Sequence, residues 1–330
     1  MSERGLPVAI VRACLRDGRG GSPTAVMDEA PLSDDERRRV PVLTGTSHAV
    51  FVSVNDGRPS GPAVSLRFFT AEGELPACGH GTIAALAFLA DRAECREYRA
   101  TLHTSERVLP GWAVREKTHV KAAFAPGPID LRAPTGAECH LILPALGDTS
   151  TTLAAGTRVA SVDLGRPRIL VPIGSRAALA TLAPDVERLR AACDRLGMLG
   201  CYVHTAPTSA GRVAARMFAP SIGVAEDIAN ANSTACLAAH LAGQGITGIA
   251  VDMGDRLGHP STITATAQHT PSGTTVHLGG AAEVTHVLRL PQPPYGWRAA
   301  GRTDPVEPIR EPARKRNPEP DLFPPWSVSR

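Results

Sequence analysis

The sequence predicts an α+β fold built as two similar lobes, and three observations carry that expectation. The phrase Thr82-Ile-Ala-Ala-Leu-Ala-Phe-Leu-Ala90 returns as Thr234-Ala-Cys-Leu-Ala-Ala-His-Leu-Ala242, 152 positions later (234 − 82). Each copy follows a strand-like phrase opening on arginine, Arg67-Phe-Phe-Thr-Ala71 and Arg216-Met-Phe-Ala-Pro220, 149 positions apart (216 − 67). Internal repetition dictates architecture, and two copies give a duplicated fold, not a solenoid. Thirdly, strand-like segments surround one apolar helix in each half, which favours α+β over a doubly wound sheet. A length of 330 residues suits about two domains. The expected division is 1–150, 151–291 and a proline-rich tail, 292–330.

In chain order, 8–14 and 24–27 read as strands separated by the turn-rich loop 18–23. Ser33-Asp-Asp-Glu36 is a capping-box start to a short helix. The strand 49–54 ends at Asn55-Asp-Gly57, a hairpin signal, and 62–69 returns beside it. Helix 82–91 follows, and 98–145 holds short strands such as 98–103 and 112–115. In the second half, 159–164 and 168–171 are strands, and 175–182 and 184–196 are helices, the latter with Pro184 near its first turn. Strands 201–205 and 211–218 precede helix 233–242. Strands 248–252, 262–267, 275–278 and 284–290 close the sheet, with Gly279-Gly280 as a turn. Ten of the last forty residues are proline, which marks the tail as an irregular extension, with Trp297, Phe323 and Trp326 as anchors.

Composition narrows the function. Hydrophobic residues make up 43% of the chain and net charge is +3 with both signs interspersed, so no nucleic-acid partner is expected. No stretch reaches the roughly 18 apolar residues of a membrane span, and the start shows no signal peptide. The seven cysteines are odd in number and include no Cys-x-x-Cys pair, so reduced cytoplasmic thiols are expected, without a disulfide framework. Cys139-His140 and the other histidines show no metal-ligand spacing, and no phosphate loop or dinucleotide fingerprint is present. Neither metal nor cofactor is expected.

Chemistry concentrates in Glu74-Leu-Pro-Ala-Cys-Gly-His-Gly-Thr82. Gly79 and Gly81 let the backbone bend and come close to a ligand. The free N–H groups of the first helical turn favour an anion, and His80 sets a titratable ring beside it. Cys78, Gly79, Gly81 and Thr82 are therefore candidate binding residues for a small carboxylate. Asn230, Asn232, Ser233 and Thr234 repeat the device in the second half.

With these phrases in place, the chain resembles the PhzF-like isomerases of the diaminopimelate-epimerase superfamily. The resemblance also rests on Gly21-Ser-Pro-Thr-Ala-Val26, Gly45-Thr-Ser-His-Ala-Val-Phe-Val52, Gly223-Val-Ala-Glu-Asp227 and Leu257-Gly-His-Pro-Ser261, in order across most of 8–291. It implies lobes that are each a curled mixed sheet around a central helix, a cleft between them, cofactor-independent proton transfer and a homodimer. The family carries a Ser-Glu pair where this chain has Ser47-His48, so His48 takes the place of the acid/base carboxylate. Histidine still shuttles a proton. The competing reading is a lost or relocated catalytic function. The resemblance further implies that His80 works with Asp227 from the other lobe. Asn230 and Asn232 stand where the family has threonine and serine, and Ala231 replaces a glycine; both departures point to a changed substrate.

Proline-racemase-like relatives carry one catalytic cysteine at the Cys78 position and a second four residues after the aspartate. That second position is Ala231 here, and Cys236 falls inside the helix, so two-thiol stereoinversion is not expected. The expected activity is an isomerase that moves a proton and a double bond in a small unsaturated carboxylic or amino acid in secondary metabolism, with His48, His80 and Asp227 as its catalytic residues. The alternatives are a racemase or epimerase, and a PhzF-like binding protein without catalysis.

Overall fold

The computed structural model describes residues 5–55, 62–147, 156–162, 165–270 and 273–291. The first lobe runs β1 (Leu6–Leu15), β2 (Ser22–Asp28), α1 (Asp34–Thr44), β3 (His48–Asn55), β4 (Ala63–Phe69), β5 (Glu74–Leu75), α2 (Gly79–Arg92), β6 (Glu97–His103), β7 (Val108–Arg115), β8 (Val120–Phe124), β9 (Ile129–Arg132) and α3 (Gly136–Ile142). The second runs β10 (Arg158–Val162), β11 (Arg168–Ile173), α4 (Arg176–Thr181), α5 (Val186–Leu196), β12 (Gly200–Thr205), β13 (Arg212–Ala219), β14 (Val224–Asp227), α6 (Ala231–Ala242), β15 (Gly248–Met253), β16 (Ser261–Thr270) and β17 (Gly273–Leu290).

The lobes share one wiring. β2–β3 is parallel, β3–β4 antiparallel, β4–β6 parallel, and β6–β7 and β7–β8 antiparallel. The second lobe repeats this as β11–β12, β12–β13, β13–β15, β15–β16 and β16–β17, with the same directions. The arginine phrases repeat down to their contacts. Arg67 grips Glu74 and lies 5.0 Å above the Phe69 ring, while Arg216 grips Glu226 and lies 4.8 Å above Phe218. Such paired forks hold the strand ends at fixed angles.

The closing strands change sides. β9 pairs with β10, the first strand of the second lobe, and the far half of β17 pairs with β1, the first strand of the first lobe. These pairings tie together the two sides of the expected 1–150 and 151–291 division. One edge of β17 switches partner at Gly279-Gly280, from β16, with Thr264 opposite Gly279, to β1, with Leu15 opposite Ala281, while β8 pairs along the other edge from Leu278 to Ala282. The pair is therefore strand, not the expected turn. A Cβ on Gly280 would lie 3.2 Å from the Cys14 sulfur and 3.3 Å from Ile83, so the absent side chain lets the strand cross beneath α2.

α2 and α6 are apolar nearly all round because each is wrapped by sheet. Ile83, Leu86, Leu237 and Leu241 belong to one continuous buried core. Burying side chains of this kind stabilises by roughly 1.5–3 kcal/mol apiece.

Several expected boundaries move. α2 starts at Gly79 and α6 at Ala231, ahead of the expected 82 and 233, because the turn residues themselves adopt helical backbone. The stretch expected as strands up to 145 ends in helix α3 and a 3₁₀ turn at Leu143–Leu146. There the capping box is Thr135 with Glu138, whose carboxylate also takes both arms of Arg132. Pro184 precedes the cap of α5, which is Asp185. The Ser33–Glu36 box forms as expected, and Gly45 ends α1 at φ 67°. The Asn55-Asp-Gly57 turn, Leu164 and the tail lie outside the described residues, apart from Asn55. No helix among the described residues is long and apolar enough to cross a membrane.

Candidate active site

The two central helices meet end to end. Equivalent positions face one another: a Cβ on Gly79 would lie 2.6 Å from the Ala231 Cβ and 3.1 Å from the Asn232 nitrogen. Position 79 plus 152 is position 231, so the pseudo-two-fold axis passes between them. Gly79 and Gly81 are helical and do not need positive φ. They are glycine for room: Gly79 admits α6, and a Cβ on Gly81 would press on the Cys78 sulfur, Phe68 and Val50 at 3.0–3.1 Å. The expected bend is thus a close approach between protein elements.

The threonine contacts repeat as well. Thr82 Oγ1 donates to the Cys78 carbonyl at 2.9 Å, and Thr234 Oγ1 donates to the Asn230 carbonyl at 3.0 Å. Thr234 also meets the Tyr202 hydroxyl at 2.9 Å. Both threonine hydroxyl protons are therefore committed to helix backbone. The Ser233 hydroxyl is buried against the Met217 sulfur, 3.6 Å away, and its N–H is capped by Asn230 Oδ1. α2 has no side-chain cap, which leaves the N–H groups of its first turn without a capping side chain.

Above these poles lies a knot of three buried side chains. His48, the first residue of β3, and His80 meet edge to face with ring centroids 4.4 Å apart. The Cys78 sulfur lies 3.8 Å from His80 Nδ1 and 3.6 Å from His80 Nε2. One potential ligand atom from each of the three residues falls within 4.8 Å of the others. The spacing rules that argue against a metal concern neighbours along the chain, whereas here β3 and the start of α2 bring distant residues together.

The two imidazoles differ in protonation. Burial, and then the charge of His80, hold His48 well below the ordinary histidine range. Burial also opposes charge on His80, but the Cys78 sulfur, the Asp227 carboxylate and a hydrogen bond to the Ala229 backbone outweigh it and raise its pKa to about 9. Asp227 acts on His80 through its field. Its own oxygens take the Asn230 amide at 2.9 Å and the Ala229 N–H at 3.4 Å. Cys236 is buried in α6, and burial pushes its thiol up. Cys14 escaped the sequence reading. It is fully buried at a bulge in β1 with φ 64°, and burial, Asp227 and Cys78 all keep its thiol protonated. Nothing in its local sequence signals this, because its neighbours come from α2 and β17.

A cavity of about 630 Å³ opens between the lobes, lined by Ser47 and Glu72 from the first and by Arg216, Gly223, Glu226 and Leu257 among others from the second. His48, Cys78 and His80 are not among the residues that line it. Ser47 connects the two regions: it lines the cavity, and its hydroxyl is 2.9 Å from His48 Nδ1.

Comparison with known proteins gives consistent results. Residues 16–287 match the PhzC-PhzF family profile, phenazine biosynthesis-like protein. The chain is 32% identical over 274 residues to trans-2,3-dihydro-3-hydroxyanthranilate isomerase of Pseudomonas aeruginosa, covering 78% of this chain and 89% of that protein. Among solved structures, a predicted epimerase of Pseudomonas aeruginosa superposes with a TM-score of 0.73 at 24% identity, covering 86% of this chain and 99% of the other. A probable proline racemase of Agrobacterium radiobacter superposes with a TM-score of 0.60 at 11% identity, covering 88% and 94%. The last two show a shared diaminopimelate-epimerase-like fold.

Proposed function

Because this chain belongs to the PhzC-PhzF family and is an isomerase, we propose that it moves a proton, and with it a double bond, within a small unsaturated carboxylic or amino acid, without a cofactor. The observation that carries this reading is the pair of buried imidazoles whose protonation states are driven apart. Two titratable groups pushed in opposite directions divide into a base and an acid. His48, neutral, takes a proton from one carbon of the substrate. The electron pair left behind delocalises through the double bond into the conjugated carbonyl. His80, protonated, gives a proton to the far carbon, and the double bond ends one position along. Asp227 keeps His80 charged and stands close to it from the other lobe.

The substrate approaches through the cavity beside Ser47. Its carboxylate turns to the uncapped first turn of α2, where N–H groups and the helix pole favour an anion. The contact between Gly79 and Ala231 must loosen to admit it, and its return excludes water from the carbanion. The proposal extends to a role in secondary metabolism, since the Pseudomonas relative is a trans-2,3-dihydro-3-hydroxyanthranilate isomerase, and to assembly as a homodimer. Stereoinversion by two thiols has less support. Ala231 occupies the position facing Gly79, and Cys14, the other thiol near Cys78, is buried and held protonated.

The test is solvent-deuterium incorporation with conjugated carboxylic acids as candidate substrates. Wild type incorporates deuterium and shifts the double bond, and His48→Ala slows both by roughly 10²–10⁴-fold. A His48→Ala protein that turns over like wild type overturns the role of His48. Binding without exchange in wild type replaces the isomerase with a binding protein.

A further inference from the structure

The knot formed by His48, Cys78 and His80 contains more than a proton pair requires. It unites a thiol with two imidazoles, all buried, with one ligand atom of each within 4.8 Å of the others. In a tetrahedral zinc site, bonds of about 2.3 Å to sulfur and about 2.0 Å to nitrogen set sulfur and nitrogen roughly 3.6 Å apart. Cys78 Sγ and His80 Nε2 are 3.6 Å apart. The sulfur is nearly as close to His80 Nδ1, at 3.8 Å, so both ring nitrogens lie within reach of an ion held by the sulfur. Ser47 engages His48 Nδ1 at 2.9 Å, which leaves Nε2 as the nitrogen for a ligand bond. Metal-bound histidines are commonly fixed in this way through their other ring nitrogen. The Asp227 carboxylate, anchored by the Asn230 amide, supplies nearby negative charge. One sulfur and two imidazoles suit a borderline-soft ion of the zinc kind and not magnesium or calcium. Three protein ligands leave the fourth position to water or an incoming carboxylate.

We propose that His48, Cys78 and His80 form a binding site for one zinc-class divalent cation, and that its occupancy switches off the proton shift. In binding, the sulfur–hydrogen bond is replaced by a sulfur–metal bond, and the released proton, with any carried by the two rings, passes to solvent. The ion then holds the nitrogen lone pairs that would otherwise carry the substrate proton. The switching effect rests on the isomerase reading; the binding itself does not.

The test titrates the chelator-treated full chain with Co²⁺. One equivalent is expected to give a sulfur-to-cobalt charge-transfer band in the near ultraviolet, and Zn²⁺ is expected to bleach it. Cys78→Ser abolishes the band, and His48→Gln abolishes saturation at one equivalent, with circular dichroism confirming that each variant is folded. Should a variant not fold, alkylation of wild-type Cys78 read by mass spectrometry decides, since Zn²⁺ is expected to protect this cysteine. Zinc loading also stops deuterium incorporation, and a chelator restores it. Failure to saturate at one equivalent, a band that survives in Cys78→Ser, or a Cys78 alkylated equally with and without zinc overturns the site. A zinc-loaded chain that exchanges as fast as the metal-free chain overturns the switch. Absence of exchange in the metal-free chain counts against the isomerase reading, and the cobalt band still decides the site.

Discussion

At residue scale, the chemistry depends on His48 staying neutral while His80 stays charged. His80 keeps its proton until pH approaches about 9, and His48 stays unprotonated until pH falls below the ordinary histidine range. The profile of kcat/KM against pH is therefore expected to be flat through neutrality and to fall above about pH 9 as His80 loses its proton. Asp227→Asn removes a charge that holds that proton, so the alkaline limb moves to lower pH. A limb that stays in place would sever Asp227 from His80. The sequence made these residues visible one at a time: the Gly-His-Gly phrase named His80, and the Ser47-His48 departure named His48. Their edge-to-face contact, the Cys78 sulfur beside both and the buried Cys14 were not legible. They depend on how β1, β3 and β17 pass the end of α2.

At the scale of elements, the contact between α2 and α6 constrains the fold most tightly. Gly79→Ala drives a methyl to within 2.6 Å of Ala231, and overpacking of this kind costs about 1–3 kcal/mol. Adding Ala231→Gly in the same chain exchanges the two residues across the axis and is expected to recover most of the loss. Chemical denaturation of the single and double variants reads the coupling, and strictly additive losses would refute the contact. α3 offers a separate test. Arg132, backed by the Thr135 cap, outweighs burial and lowers the Glu138 pKa from 4.5 to about 2. Its stabilisation is full above about pH 4.5 and fades as pH falls towards 2. Glu138→Gln is expected to lose about 2 kcal/mol at pH 7 and little near pH 2, measured by urea unfolding. Elements with strong periodicity or a capping box, such as α1, β1 and α5, were legible in the sequence. The first turns of α2 and α6 were not, because Gly79, Gly81 and Asn232, residue types that usually mark turns, here sit inside helix, the two glycines where a side chain would collide with its neighbours.

At the scale of the whole molecule, the duplication was legible from two Ala/Leu helices and two arginine strands. The crossing was not: β17 reaches back to β1, with Leu290 opposite Leu6, and β9 reaches forward to β10, with Arg132 opposite Val159, and neither pairing leaves a local pattern. A chain divided into 1–150 and 151–330 is expected to give halves that do not fold cooperatively alone and that recover the circular dichroism of the intact protein when mixed. A half that unfolds cooperatively by itself would contradict the exchange. The crossing also bears on descent. Because β9 and the far half of β17 play equivalent parts, a gene of half this length would encode a lobe with an open edge along its first strand. Two copies of that product would close each other's edges in a symmetric pair, with the helix tips meeting on the dyad. Joining two such genes end to end releases the halves from identity. Glycine 79 opposite alanine 231, and histidine 80 matched by asparagine 232, are then the record of one ancestral tip specialising into a reactive side and a supporting side.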